Sequence, residues 1–286
     1  MTKGMAEKNK SQQGRQEKER EQIQRQMNLV KHKIVVLSGK GGVGKSTVSA
    51  NIAASLSAAG RRVGLLDVDI HGPSIPKMFS LENEKMTSRG DRIVPVSVSE
   101  NLAVISMGFL LQSRDDPVIW RGPMKYQAIK QFLKDVDWGR LDYMVIDCPP
   151  GTGDEPLSVI QLIGKADGAV IVTTPQQISV CDVRKAVVFC RDLNLPVIGV
   201  IENMSGFVCP ECGHGTDIFS SGGGEKMACE MGVAFLGKIP IDPRIVEACD
   251  SGQPYVEKYR ESSAAAEFSK SVERILSREK ENNLNK

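Results

Sequence analysis

A short apolar run at residues 34–37 leads directly into Ser38-Gly39-Lys40-Gly41-Gly42-Val43-Gly44-Lys45-Ser46-Thr47, and a helical pattern follows over residues 45–59. No other feature constrains the fold as strongly. Glycines at these spacings let successive backbone N–H groups turn inward around an anion at a helix N-terminus. Two readings overlap here. Gly39, Gly41 and Gly44 satisfy G-x-G-x-x-G, and Asp67, about 20 residues on, fits the ribose-binding acid of a dinucleotide fold. The same residues satisfy G-x-x-x-x-G-K-[ST]. The Lys45-Ser46 pair decides between them. Lys45 supplies a cation for the β/γ-phosphates, Ser46 a hydroxyl for Mg²⁺, and Thr47 reaches the α-phosphate, whereas hydride transfer has no use for this pair. A second apolar run, 143–146, ends in Asp147 and continues as Cys148-Pro149-Pro150-Gly151-Thr152-Gly153-Asp154. An acid at that place is the expected Mg²⁺ partner of a P-loop NTPase. Gly39, Lys40, Gly41, Gly42, Val43, Gly44, Lys45, Ser46 and Thr47 are therefore expected to bind a nucleoside triphosphate. Lys40, five residues before Lys45, fits either a solvated surface lysine or a second phosphate neutraliser acting like an arginine finger.

The rest of the chain alternates. Apolar runs at 63–66, 93–98, 102–106, 169–173, 197–201 and 234–236 interleave with helical patterns at 124–136, 155–163, 180–193, 224–231, 243–251 and 264–278. This predicts an α/β fold with a mainly parallel sheet flanked by helices. Consecutive apolar positions within the runs predict strands covered on both faces. With no internal repeat and no Pro/Gly/Ser-rich linker, residues 33–278 read as a single domain and 279–286 as a polar tail.

Residues 1–32 read as a polar, basic arm. The first 33 residues carry nine Lys/Arg against four Glu, while the remainder has 28 against 31. Ile23, Met27 and Val30 fit one helical stripe, and the composition allows a frayed helix or disorder. The overall charge of +2 demands no nucleic acid or lipid partner, and aromatics at 5% do not supply base-stacking platforms. No apolar run approaches the ~18 residues of a membrane span, and no signal-peptide core opens the chain. A cytoplasmic protein without membrane or nucleic-acid partners is expected.

The seven cysteines are an odd number, which in such a compartment favours metal or redox chemistry over a disulfide framework. Cys209-Pro210-Glu211-Cys212-Gly213-His214 is a knuckle whose two thiolates can share one metal ion or cluster edge. One chain offers two thiolates, and a two-fold dimer would pair the patch with itself to give four. Four thiolates suit a [4Fe-4S] cluster or Zn²⁺ equally, and a dithiol redox pair is a further reading. Cys148, Cys181, Cys190, Cys229 and Cys249 read as buried small apolar residues. His71 reads as a polar structural contact, and His32 as exposed.

With Asp67-Val-Asp69 and Asp147 through Asp154, the loop resembles the deviant Walker A ATPases, the group of MinD, ParA and nitrogenase iron protein. Asp69-Ile-His71-Gly-Pro-Ser74-Ile-Pro76, Trp120-Arg-Gly-Pro123, Glu202-Asn-Met-Ser205, Gly222-Gly-Gly-Glu-Lys226, Ile239-Pro-Ile-Asp-Pro243 and Cys209-Pro-Glu-Cys212 are similar to the Mrp/ApbC family of iron–sulfur cluster carrier ATPases. The resemblance spans residues 33–278. It implies a homodimer enclosing two ATP molecules, with Lys40 reaching the opposite nucleotide. It implies Lys40, Lys45 and Asp69 as catalytic residues, Asp69 acting on the attacking water. Asp67 and Asp147 join Ser46 around Mg²⁺, and Asn203 reads adenine. Residues 69–76 and 148–154 match nucleotide-sensing switches. Cys209 and Cys212 carry a [4Fe-4S] cluster, with zinc as the alternative metal. A cluster donor and apo iron–sulfur proteins are the implied partners. Unlike many bacterial members, the chain shows no added small N-terminal domain. Residues 1–33 also lack the cysteines of the N-terminal cluster site in eukaryotic cytosolic members.

The expected function is a slowly hydrolysing ATPase that carries and transfers an iron–sulfur cluster. Two rivals share much of the sequence. A MinD- or ParA-like positioning ATPase would need a membrane-active end or a basic body; Phe268, Val272, Ile275 and Leu276 form a stripe that reads instead as docking on the body. A zinc-bridged metal chaperone would use the same thiolates.

Overall fold

The computed structural model describes the backbone of residues 2–111, 122–209 and 211–284, and the side chains of residues 14–111, 122–209 and 211–277. Trp120, Arg121 and Pro210 of the sequence motifs, and the side chains of the 279–286 tail, lie outside the described residues.

The chain opens with α1 (Thr2–Met27), β1 (Val30–Ser38), α2 (Lys45–Ala58) and β2 (Val63–Asp67). A one-turn helix α3 (Ile75–Met78) precedes the short strands β3 (Thr87–Arg89), β4 (Arg92–Val94) and β5 (Val96–Ser99), then β6 (Leu102–Ser106). Next come α4 (Gly122–Asp135), β7 (Leu141–Asp147), α5 (Asp154–Ile163), β8 (Gly168–Thr173), α6 (Gln177–Asp192) and β9 (Val197–Val208). The chain finishes with β10 (Gly215–Thr216), α7 (Gly223–Glu230), β11 (Phe235–Ile241), α8 (Pro243–Asp250), α9 (Tyr255–Lys258) and α10 (Ser263–Leu284).

The described residues form a nine-stranded sheet ordered β10-β9-β8-β1-β7-β2-β6-β5, with β11 on the far part of β9. The pairs β8–β1, β1–β7, β7–β2, β2–β6, β8–β9 and β9–β11 are parallel, and only the outer β5 and β10 pair antiparallel. The expected mainly parallel α/β architecture is therefore present. Along β1, Val35 and Leu37 enter one core cluster while Ile34 and Val36 enter the other. That alternation gives each sheet face its own apolar layer, which is why the run reads as continuously hydrophobic. Helices α1, α4, α5, α6 and α7 cover the first face, and α2, α3, α8, α9 and α10 the second.

The short elements α3, β3, β10 and α9 had no counterpart in the sequence pattern, and three expected runs take a different form. The run 93–98 is two strands, because Pro95 has no N–H for a continuous ladder: β4 pairs with β3, and β5 with β6. The run 234–236 extends to Ile241 and includes Pro240, tolerated because β11 is an edge strand. The run 197–201 continues to Val208: Glu202 and Asn203 are still paired in the sheet, and the strand runs on toward the cysteine pair.

The basic arm is helical, and its last turns belong to the core. Ile23 and Met27 are buried with Val30 in the cluster shared with α4 and α5. Gln24 Nε2 donates to Ile163 O at 3.3 Å, and Lys130 pairs with Glu19. At the other end Phe268, Val272 and Ile275 are buried and Leu276 packs against them, so the C-terminal stripe docks on the body. Cys148 and Cys190 are buried, Cys249 is half-buried, and Cys181 and Cys229 correct the burial expectation: both are exposed, because they fall on the outer sides of α6 and α7. His32 is half-buried and faces Asp167.

Candidate functional site

The C-terminal ends of parallel strands bring the chemistry together. Asp67 ends β2 and Asp147 ends β7, and the two residues are register partners. Ser38 ends β1 between β7 and β8. The loop from Ser38 to Lys45 therefore starts at the centre of the sheet and rises beside both acids. Helix α2 starts at its far end with Gly44 as N-cap, at φ 80°. A Cβ on Gly44 would lie 2.2 Å from Asn203 Nδ2, and one on Gly39 would lie 2.4 Å from the Asp182 carbonyl carbon. These contacts, and the positive φ at Gly44, require glycine at both positions.

Lys45 is buried, and its Nζ lies 2.7 Å from Asp147 Oδ1 and 3.8 Å from Asp69 Oδ2. Burial opposes its charge, but Asp147, then Asp69 and Asp67, hold the ammonium above its usual range. Ser46 Oγ donates to Asp147 Oδ2 at 2.6 Å, and Ser49 Oγ donates to Asp147 Oδ1 at 2.7 Å. Asp67 accepts from Ser106 Oγ at 2.7 Å and from Asp69 N at 3.0 Å. Complete burial, with Asp147 beside it, pushes the Asp67 carboxyl up to about 8. Two adjoining buried carboxylates and the Ser46 hydroxyl are hard oxygen donors, and a divalent cation would relieve the repulsion that raises Asp67. The set fits Mg²⁺.

A cleft of about 240 Å³ opens above these groups, lined among others by Lys40, Gly42, Lys45, Thr47, Asp69 and Pro150. The structure thus brings the loop, Asp67, Asp69 and Asp147 to one place. Lys40 is half-buried in the cleft lining. Asn203 meets the loop from behind: its Nδ2 donates to Val43 O at 2.9 Å, and it is not among the cleft-lining residues.

Cys209 and Cys212 stand apart from the cleft, just past the end of β9. Cys209 N donates to His214 O at 3.0 Å and Gly213 N donates to Cys209 O at 2.9 Å, closing a tight turn. The Cys212 and Glu211 N–H groups, then the Cys212 thiol, lower the Cys209 thiol. Backbone N–H groups aimed at sulfur favour the thiolate, the form that binds metal. Cys212 is exposed, as is the whole 211–220 segment. Glu202 supports this lobe: its buried carboxylate accepts from Gly222 N at 2.7 Å and Ser205 Oγ at 2.5 Å.

Sequence reasoning missed Ser49, Ser106 and Lys125. Ser49 lies one helical turn after Lys45, a spacing that was legible. Ser106 reaches Asp67 only because β6 pairs in register beside β2. Lys125 had no local signal.

A family model described as the NUBPL iron-transfer P-loop NTPase model matches residues 29–276. The iron–sulfur cluster carrier protein of Methanocaldococcus jannaschii is 54% identical over 254 residues, covering 89% of this chain and 87% of that protein. The protein of the same name from Saccharolobus solfataricus is 49% identical, covering 89% and 86%. Among solved structures, a nucleotide-binding protein from Archaeoglobus fulgidus in complex with ADP is similar, with a TM-score of 0.75, 38% identity, and coverage of 86% of this chain and 95% of that one. The cell division ATPase MinD of Pyrococcus furiosus matches with a TM-score of 0.63 at 25% identity, covering 86% and 99%.

Proposed function

We propose a nucleotide-gated carrier cycle for this chain, which belongs to the NUBPL iron-transfer P-loop NTPase family. It is an iron–sulfur cluster carrier built on a nucleotide-binding P-loop domain. In the proposed cycle the chain hydrolyses ATP slowly, as a switch, and holds a [4Fe-4S] cluster as cargo between two copies of itself.

One observation carries the coupling. Asn203 of β9 donates to Val43 of the phosphate loop, and the same strand runs on to Val208, immediately before Cys209. A displacement of the loop is thereby delivered along a hydrogen-bonded strand to the thiol pair.

The loop N–H groups and Lys45 take the phosphate charge. Ser46, Asp67 and Asp147 would hold Mg²⁺, which when bound supplies further neutralisation of that charge. Asp69 orients the attacking water from the cleft wall. Lys40, in the cleft lining, reaches the nucleotide of a second copy, and adenine selection by Asn203 belongs to the same proposal. Cys209 and Cys212 of each copy supply two of four thiolates. Delivery goes to apo iron–sulfur proteins after loading by a donor.

Anaerobic purification with iron, sulfide and zinc analysis tests this on wild type and the Cys209→Ala/Cys212→Ala variant. About four iron and four sulfide per dimer, lost in the variant while ATP binding persists, is expected. Zinc without sulfide after attempted reconstitution would sink the cluster reading and favour the metal chaperone. A MinD-like membrane role has less support, since the α10 stripe is buried on the body.

A further inference from the structure

Lys125 is a lysine with only 8% of its surface exposed, on α4, outside every motif that carries the nucleotide chemistry. Its Nζ lies 2.5 Å from Glu155 Oε1 and 2.5 Å from His71 Nε2. An ammonium has only donors, so the contact with His71 needs Nε2 as its acceptor. Glu155 accepts the charge-assisted bond.

The two partners belong to different loops. His71 follows β2, and its backbone N–H donates to Asp69 Oδ1 at 3.2 Å. Glu155 sits in the first turn of α5, directly after the loop that follows β7. Both loops reach the nucleotide cleft: Asp69, Gly72 and Ser74 line it from one, and Pro150 from the other. A ligand in the cleft meets both loops, and Lys125, which is not among the cleft-lining residues, joins His71 to Glu155. The lysine side chain is largely buried while His71 stays exposed, so displacing either segment alone breaks one of the two contacts that hold the ammonium.

We propose that Lys125 is a positioning residue that makes the segments 69–76 and 148–155 respond to nucleotide as one unit. Asp69 then reaches its working position only when both loops have closed. The proposal rests on the nucleotide reading above and adds the coupling between the two loops. Lys125 acts through His71 and Glu155 and does not itself line the cleft.

The test compares wild type, Lys125→Met and Lys125→Arg by steady-state ATP hydrolysis, ADP titration, and hydrogen exchange with ADP or a non-hydrolysable ATP analogue. In wild type, both segments should gain protection together with the ATP analogue. In Lys125→Met, kcat should fall about tenfold or more while the ADP Kd stays within about twofold, and the two segments should no longer change together. Lys125→Arg should recover most of the rate. His71→Ala and Glu155→Gln should each slow turnover, and the double variant should be no slower than the worse single one, as for groups acting through one unit. This last comparison holds even if Lys125→Met does not fold. Unchanged turnover in Lys125→Met, parallel loss of kcat and ADP affinity, or additive His71 and Glu155 effects would overturn the proposal. A wild-type chain that binds no nucleotide would instead overturn the nucleotide reading itself.

Discussion

Lys45 Nζ sits 2.7 Å from Asp147 Oδ1, so the cation suited to phosphate and the acid suited to Mg²⁺ form one buried pair across 102 residues of sequence. On the proposed reading, phosphate would draw Lys45 from Asp147 and Mg²⁺ would draw Asp147 from Lys45, each releasing the other's site. Asp147→Asn should therefore weaken binding of ATP with Mg²⁺ by on the order of tenfold or more, and leave binding of ATP in chelator much less affected. Calorimetric titration under the two conditions measures the difference. Equal losses in both would mean that Asp147 serves Lys45 alone.

Gly44 and Asn203 are locked together by space. Gly44→Ala places a methyl group 2.2 Å from Asn203 Nδ2 at a backbone φ of +80°. The left-handed conformation alone costs about 1–2 kcal/mol for a residue with a Cβ. The substitution should cut ATP affinity by about tenfold or more. In an Asn203→Ala background, which removes the contact but not the backbone strain, Gly44→Ala should cost less affinity than in wild type but still a measurable part of it. No further loss relative to Asn203→Ala alone would show that φ at this position is not limiting.

The helical arm contributes stability through a few residues. Ile23 and Met27 are almost fully buried against α4 and α5, whereas residues 17, 18, 20 and 21 of the same helix are exposed. Ile23→Ala or Met27→Ala should each lower unfolding free energy by about 2–4 kcal/mol. Lys18→Ala should change it by no more than about 0.5 kcal/mol. Urea unfolding separates the outcomes, and equal small effects at all three positions would mean that α1 is not part of the cooperative unit.

Asp167 ties β1 to the loop before β8. Its Oδ2 accepts from Lys33 N at 2.8 Å, and its Oδ1 faces His32 Nδ1 at 3.1 Å. Burial opposes ionisation, but the His32 and Lys33 hydrogen bonds outweigh it and hold the carboxyl below its usual range. A depressed acid stabilises the fold above its unfolded pKa, and that stabilisation is lost as pH falls through the lower folded value. Stability measured by urea unfolding across pH 3–6 should therefore fall less steeply on the acid side in Asp167→Asn than in wild type (about one pH-linked proton fewer). An unchanged acid slope would remove Asp167 from that linkage.

The phosphate loop, the acids ending the runs at Asp67 and Asp147, and the Cys209–Cys212 knuckle were legible in the linear chain. Each rests on contiguous residues whose spacing already imposes its geometry: glycines where the backbone must approach an anion, an acid where an apolar strand stops, two thiols across one turn. The inner strands were legible for the same reason, since double-sided burial demands unbroken apolar runs, whereas the exposed β3 and β10 have none. What stayed hidden was everything that depends on which strand lies beside which. The run 93–98 split at a single proline, and Ser106 met Asp67 only through the order β7-β2-β6. Lys125 meets His71 and Glu155 across 54 and 30 residues. No local pattern announces such contacts, because hydrogen bonding between distant loops depends on how helices settle on the sheet. Local backbone chemistry, written in neighbouring residues, dictated the nucleotide loop and the thiol pair. Long-range packing, in which many weak contacts select one arrangement of two apolar layers, decided that Asn203 would brace the loop, that the arm would join the core, and that one buried lysine would fasten two loops.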